Sequence, residues 1–502
     1  MTKRVLPSGA VALILTTLLL SASAHAASTS AIWRENQKPG TWGWRATAAA
    51  SRRIQAYGSQ ISVVAGQTVD LHVSTVPSAP YRIQVFRLGW YGGAGARLVE
   101  CLPRCAATGR SARSRRRLPV RHGHPRHVPA ADPVTGELAL SWPVTDRIHT
   151  KHSWVTGEYL AQIVLAGSGR AETVPFVVRP LHPDPHGILV EVPVDTWQAY
   201  NNWGGKSLYA FNSSGKKPAV KVSFDRPFAY GDENLTFPVD FEYRYVQFLE
   251  RSGFPLDYAT DVDVDENPQL LLGQRLSMTI GHGEYWSPGI RAAWDAARDS
   301  GHDLVFLGAN TGYWQIRYED DHRTIVEYRD ATVDPDPVAA EKTTEFRALD
   351  PPLPECELEG VQFQQGGLYP PLQGSLTVTT ASNPWLAAAG LHPGDVLANA
   401  VRGEWDAVQS GCDVPAPTIL LQYQGTYPSD VTLTTMGSGG RVLALGSEGF
   451  GTLVSGYEKR HCSVDTRAET FLRDALMDLG GVNDLPAMPA GCVKRPRHAA
   501  SG

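Results

Sequence analysis

The stretch from Leu276 to Asn310 leaves little freedom in how this chain can fold. A short apolar run, Leu276-Ser-Met-Thr-Ile280, stops at Gly281, and a polar loop carrying His282 and Glu284 follows. Ser287-Pro288 then reads as the N-cap and first position of a helix, because a serine hydroxyl accepts a free first-turn N–H and proline has no N–H to satisfy. Between Pro288 and Ser300, Ile290, Ala293, Trp294 and Ala297 fall on one face, and Gly301 ends the helix before a second apolar run from Asp303 to Gly308. Strand, helix and strand in this order make a parallel βαβ unit. Open sheets of this kind bind ligands at the carboxyl ends of their strands, so His282, Glu284 and Asn310 are expected to face one crevice.

The flanking sequence extends this unit into a domain. Ile188-Leu-Val-Glu-Val192 is a strand signal, and Phe241 to Ser252 has helical spacing at Tyr245, Phe248 and Leu249 before a Gly253 stop. Leu256 to Thr260 follows, then an acidic turn with Asp261, Asp263 and Asp265 that could be a calcium loop, and finally a strand at Val442 to Leu445 and a helix at Ala468 to Leu479. These elements predict an α/β domain with a mainly parallel sheet over residues 188–485, with a tail at 486–502. Upstream, Ile54 to Pro180 alternates apolar and polar residues in short runs punctuated by glycine and proline, which predicts an immunoglobulin- or fibronectin-like β-sandwich over residues 27–180. Leu181-His-Pro-Asp-Pro-His-Gly187 reads as the linker.

Residues 1–26 carry Lys3 and Arg4, an apolar stretch from Val11 to Leu20 and the small-residue site Ala24-His-Ala26, the pattern of a signal peptide. No later segment approaches membrane length, so a secreted or periplasmic protein is expected. Loss of Lys3 and Arg4 with the leader takes the formal charge from −5 to −7, which argues against a nucleic-acid partner. The six cysteines contain no CxxC pair and are expected to form disulfides, with Cys356–Cys412 and Cys462–Cys492 as the natural local pairings. Arg104 to His127 is foreign in composition, with eight arginines, three histidines and no acid. It is open to reading as a solvated loop, a polyanion patch, a metal site at His122, His124 and His127, or a local shift of reading frame.

No Gly-x-Ser-x-Gly elbow, dinucleotide fingerprint or Walker A run is present, so nucleophilic acyl transfer of the usual kinds and nucleotide phosphate binding are disfavoured. General acid/base or metal chemistry is left. His282 and Glu284 lie on one side of an extended loop, which suits either a histidine base beside a metal carboxylate or a His/Glu proton relay.

Five blocks resemble the large subunit of N,N-dimethylformamidase, in the family named for its C-terminal-like domain. They are Arg87-Leu-Gly-Trp-Tyr-Gly-Gly-Ala-Gly95, Thr196 to Gly205, Glu242-Tyr-Arg-Tyr-Val-Gln-Phe-Leu-Glu250, Gly281-His-Gly-Glu-Tyr-Trp-Ser287 and Phe306 to Arg317. The resemblance implies a glutamine-amidotransferase-like arrangement of the α/β domain and a mononuclear ferric site. Carried over by residue, Tyr200, Tyr243 and Glu284 would be the metal ligands, with Tyr245 competing for the second tyrosine. His282 would be the acid/base, and Glu448 is the candidate for the family's further catalytic glutamate; Asn310, from its place at a strand tip, could bond the substrate or tetrahedral intermediate or tie down the strand end. Phenolate and carboxylate are hard oxygen donors that suit a small trivalent cation. A small amide is then the expected substrate, and an oligomer is compatible with a family that works with a small subunit. The rival reading is a secreted non-catalytic protein on the same fold that binds an envelope component or glycan.

Overall fold

The computed structural model describes residues 29–42, 44–45, 51–105, 119–229, 241–368, 373–456 and 464–493, a chain built mostly of β-sheet with few helices. The expected leader at 1–26 lies outside these residues, as do most of the arginine-rich run and Cys462. No helix among the described residues is long and apolar enough to cross a membrane.

Two sheets form the N-terminal layer. One contains Ile54–Gly58, Thr68–Thr75 and Asp146–His149. The other runs from Ser62–Val64 through Ala171–Arg179, Gly157–Leu165 and Ala79–Leu88 to Ala96–Leu102, and Arg121–Gly123 pairs onto Ala79–Leu88. Val69, Leu71, Val73, Ile83, Val85, Ala161, Ile163 and Phe176 fill the space between them, as period-2 alternation requires.

The second layer is a nine-stranded mixed sheet. Its order is Leu256–Thr260, Ile188–Val192, Leu276–Gly281, Asp303–Gly308, Arg441–Ala444, Ser429–Thr435, Thr418–Tyr423, Gly374–Val378 and Val396–Val401. The first five strands are parallel and the last four add on antiparallel, so the parallel sheet read from the sequence is the half that carries the βαβ unit. Residues alternate between its faces. Leu304 and Phe306 pack with Trp286, Ile290 and Trp294 of the helix Pro288–Asp299, while Val305 and Leu307 share a core with Phe248 of the helix Glu242–Ser252 and Phe471 of the helix Thr466–Leu479. Ser287 caps Pro288–Asp299 by accepting from Ile290 N at 3.0 Å, and Gly253, in the left-handed region, ends Glu242–Ser252.

The two layers are not joined by a linker alone. Phe86, Leu88, Leu160 and Val177 of the sandwich belong to the same core as the sheet and its helices. At its centre Arg87 donates to both oxygens of Glu250, at 2.8 and 2.7 Å, with both side chains fully buried. Asn36 at 2.7 Å and the Tyr258 hydroxyl at 3.2 Å complete the shell of Glu250. Gly89 is needed here, because a Cβ at that position would lie 2.4 Å from Glu250 Oε2. The Arg87–Gly95 block therefore serves to dock the layers.

Two expectations change. Asp261–Glu266 is a helix rather than a calcium loop: Asp263 forms a capping box with Thr260, Asp261 accepts from Asp195 N, and Asp265 pairs with His322 at 2.8 Å, so the three carboxylates point to separate partners. Cys356 pairs with Cys412 as expected, and Cys101 pairs with Cys105. Among the described residues, His122, His124 and His127 do not assemble into a metal-spaced group.

Candidate active site

The site forms where the parallel strands end. Gly281 and Gly308 face each other in register at the tips of adjacent strands, so closely that a Cβ on Gly308 would lie 1.8 Å from Gly281 O. The chains beyond them continue as a pair: Tyr285–Trp286 lies parallel to Trp314–Gln315, and Trp314 N donates to Glu284 O at 2.9 Å. This pairing fixes Glu284, which is 4% exposed, with its carboxylate turned inward.

Three side chains converge on that carboxylate. The Tyr200 hydroxyl donates to Oε2 at 2.8 Å, the Tyr209 hydroxyl lies 2.6 and 2.7 Å from the two oxygens, and Trp314 Nε1 donates to Oε1 at 3.0 Å. Tyr200 is the last residue of the helix Val194–Tyr200. Tyr209 sits in the turn that follows, where Ser207 Oγ accepts from Tyr209 N and Asn212 Nδ2 donates to Tyr200 O, which brings the two rings to 4.3 Å.

His282 stands beside this cradle with its ring between carboxylates. Nε2 lies 2.9 Å from Glu404 and 3.4 Å from Glu284, and Nδ1 lies 3.3 Å from Glu448. Asn310, held in the left-handed region at φ 53° by two bonds from its N to the Asp406 carboxylate, donates from Nδ2 to Glu404 at 2.6 Å. Glu448 Oε2 in turn accepts from Glu404 N at 2.9 Å. Burial works against a charged imidazole, but Glu448, Glu404 and Glu284 outweigh it and hold His282 well above its ordinary value. Burial would raise Glu404, yet the His282 charge and bonds from His282 and Asn310 keep it below the usual carboxylate range. Glu448 is driven well above that range by burial, against the pull of His282. His282 and Glu404 thus favour each other's charged forms, while burial works against charge on Glu448.

The structure gathers Tyr200, His282, Glu284, Asn310 and Glu448 of the expected set and leaves out Tyr243. The Tyr243 hydroxyl bonds to Gly95 O and lies 3.3 Å from Gly89 O, while its ring meets Trp44 edge-on at 5.4 Å, so it belongs to the docking of the two layers. Tyr245 is fully buried against Gly451. The second tyrosine on Glu284 is Tyr209, and Glu404 is a further acid that the sequence reading passed over. Nothing local marks Tyr209 or Glu404; in the structure Gly403 beside Glu404 lets Glu448 approach, since a Cβ there would lie 1.9 Å from Glu448 Oε2.

Two donor sets are available to a cation. His282, Glu404 and Glu448 offer ligand atoms within 4.8 Å of one another. However, Glu404 and Glu448 approach opposite nitrogens of the ring, so His282 bridges two acids instead of turning one donor toward a common centre. Tyr200, Tyr209 and Glu284 form an all-oxygen set whose two phenol protons point at a single carboxylate. Burial and the Glu284 charge push both phenols well above their ordinary value, a penalty that a cation among the three oxygens reverses. This set fits a hard trivalent ion.

The buried acids, the imidazole and the phenols thus form one cluster at the carboxyl ends of the parallel strands. A model of the family described as N,N-dimethylformamidase beta subunit-like, C-terminal, matches residues 82–459, and the chain belongs to that family. No curated protein matches it significantly. Among solved structures, one titled mmIFT52 N-terminal domain aligns over 46% of this chain and 86% of that chain at 13% identity with a TM-score of 0.25, a likeness that carries no argument.

Proposed function

We propose that the chain is an exported hydrolase of C–N bonds in small linear amides, with ferric iron held by Tyr200, Tyr209 and Glu284. The convergence of two phenol hydroxyls on the buried Glu284 carboxylate, with His282 alongside, carries this reading. When bound, the metal supplies polarisation of the amide carbonyl and acidification of a water. The remaining work falls to the chain's own groups. Glu448 lies 3.3 Å from Nδ1 of His282, and Nε2 faces Glu404 and the cradle, so the charged ring gives a proton to the departing amine nitrogen while the ionised Glu404 takes one from the attacking water. Asn310 fixes Glu404 on that proton path, and the Asn310 Oδ1, buried and without a bond, is free to accept from the attacking water. Family membership, together with this donor set, supports the amide as substrate. The same reading takes the sandwich as immunoglobulin- or fibronectin-like, the parallel half of the sheet as glutamine-amidotransferase-like, and the disulfides as a sign of a secreted or periplasmic location.

The test is release of amine from N,N-dimethylformamide and a panel of short linear amides by iron-loaded protein. Turnover that Glu284→Gln and His282→Gln each reduce by about 100-fold or more supports it. An iron-loaded protein that releases amine from none of the panel overturns it.

A further inference from the structure

Behind the Glu284 cradle lies a cation that the proposed reaction does not use. The Arg329 guanidinium carbon sits 4.1 Å from the ring centre of Tyr209 and 4.7 Å from that of Trp314, and its NH2 donates to the Tyr285 hydroxyl at 2.6 Å. Tyr209 and Trp314 are two of the three side chains that bond to Glu284, so one guanidinium contacts most of the cradle from outside. The backbone is committed to this placement. Arg329 is held at φ 62°, a conformation that a branched-free side chain tolerates only at a cost, and its N donates to Glu327 Oε1 at 2.5 Å. Next to it Tyr328 N donates to Thr343 Oγ1, which donates to Asp334. A planar guanidinium can engage two rings at once and still donate in its plane, whereas an ammonium is a point charge with one such contact.

We infer that Arg329 is a positioning residue of the candidate metal centre: packed on the rings of Tyr209 and Trp314 and bonded to Tyr285, it fixes the second phenol and the indole on Glu284. The consequence for the metal rests on the ferric reading above, while the packing itself does not. Arg329 bonds to neither Glu284 nor His282; its charge favours the Glu284 carboxylate, and its positioning of the phenol donor passes through Tyr209.

The experiment uses the full chain reconstituted with ferric ion, reading visible absorbance per bound iron. Tyr209→Phe removes one of two tyrosinate donors, and Arg329→Met is expected to give the same roughly twofold fall because the unpinned phenol leaves the metal. In the Tyr209→Phe background Arg329→Met should change nothing further, and Arg329→Lys should fall between Met and wild type. Wild-type absorbance per iron in Arg329→Met, or a further loss in the Tyr209→Phe background, overturns the inference. Metal-free protein supplies an independent arm, in which Arg329→Met and Tyr209→Leu are compared by urea unfolding. Together they should destabilise by less than the sum of the two, and strict additivity overturns the inference. Wild-type protein that takes up no ferric ion defeats the ferric reading instead, and the metal-free arm still decides the role of Arg329.

Discussion

At the scale of single residues, the tyrosines separate by what their hydroxyls touch. Tyr209 meets Glu284 and Tyr243 meets a backbone carbonyl of the sandwich, so their removal should have opposite consequences. Tyr209→Phe is expected to weaken ferric binding by about 10–100-fold with little effect on stability, and Tyr243→Phe to leave iron uptake intact while costing about 1–2 kcal/mol of unfolding free energy. Iron titration and urea melts of both variants check this pair. A pH effect should arise far from the site. Burial raises Asp257 to about 6, eased by bonds from Asp184 N and Gln274. Because its folded value lies above the unfolded one near 4, its contribution to stability is complete below pH 4 and is lost as pH rises through 6, by about 2–3 kcal/mol. Asp257→Asn should therefore match wild type in urea melts at pH 4 and exceed it at pH 7. His282, Glu284 and Asn310 were legible because strand tips and loop spacing put them together. Tyr209 and Glu404 were not, since their approach depends on a turn and on a strand far along the chain that no local pattern announces.

Among the elements, the glycines at the strand tips carry the geometry. Gly281 and Gly308 let two parallel strands end in contact, which is what delivers His282 and Asn310 to one crevice. Gly308→Ala forces those tips apart and should cost about 3 kcal/mol or more, with loss of metal uptake in whatever folds, measured by thermal melts and iron stoichiometry. The strands Ile188–Val192 and Leu256–Thr260 and the helix Pro288–Asp299 could be read within a residue or two, because continuous apolar runs, a serine-proline cap and a terminal glycine are strong local signals. The four antiparallel strands from 374 to 435 could not. Connections rich in glycine and proline separate them, and they take their places from pairing with Arg441–Ala444 and with one another.

The whole molecule behaves as one cooperative body in this account, because the sandwich and the mixed sheet share a core around a buried ion pair. Removing one member of such a pair leaves the other charged and buried, so Arg87→Met should destabilise the entire chain by about 3–5 kcal/mol while calorimetry still shows a single transition. The Cys356–Cys412 bridge, closing a separation of 56 residues, should contribute about 4 kcal/mol, seen as a fall in stability in Cys412→Ser. The cradle draws Tyr200 and Tyr209 from the connection after Ile188–Val192 and Glu284 from the connection after Leu276–Gly281. The most direct test of the account is visible absorbance of the ferric-loaded protein. A tyrosinate band that weakens in Tyr200→Phe and in Tyr209→Phe, vanishes in Glu284→Gln and persists in Tyr243→Phe is the predicted result. A colourless ferric complex, or a band lost with Tyr243 and unaffected by Tyr209, would contradict it.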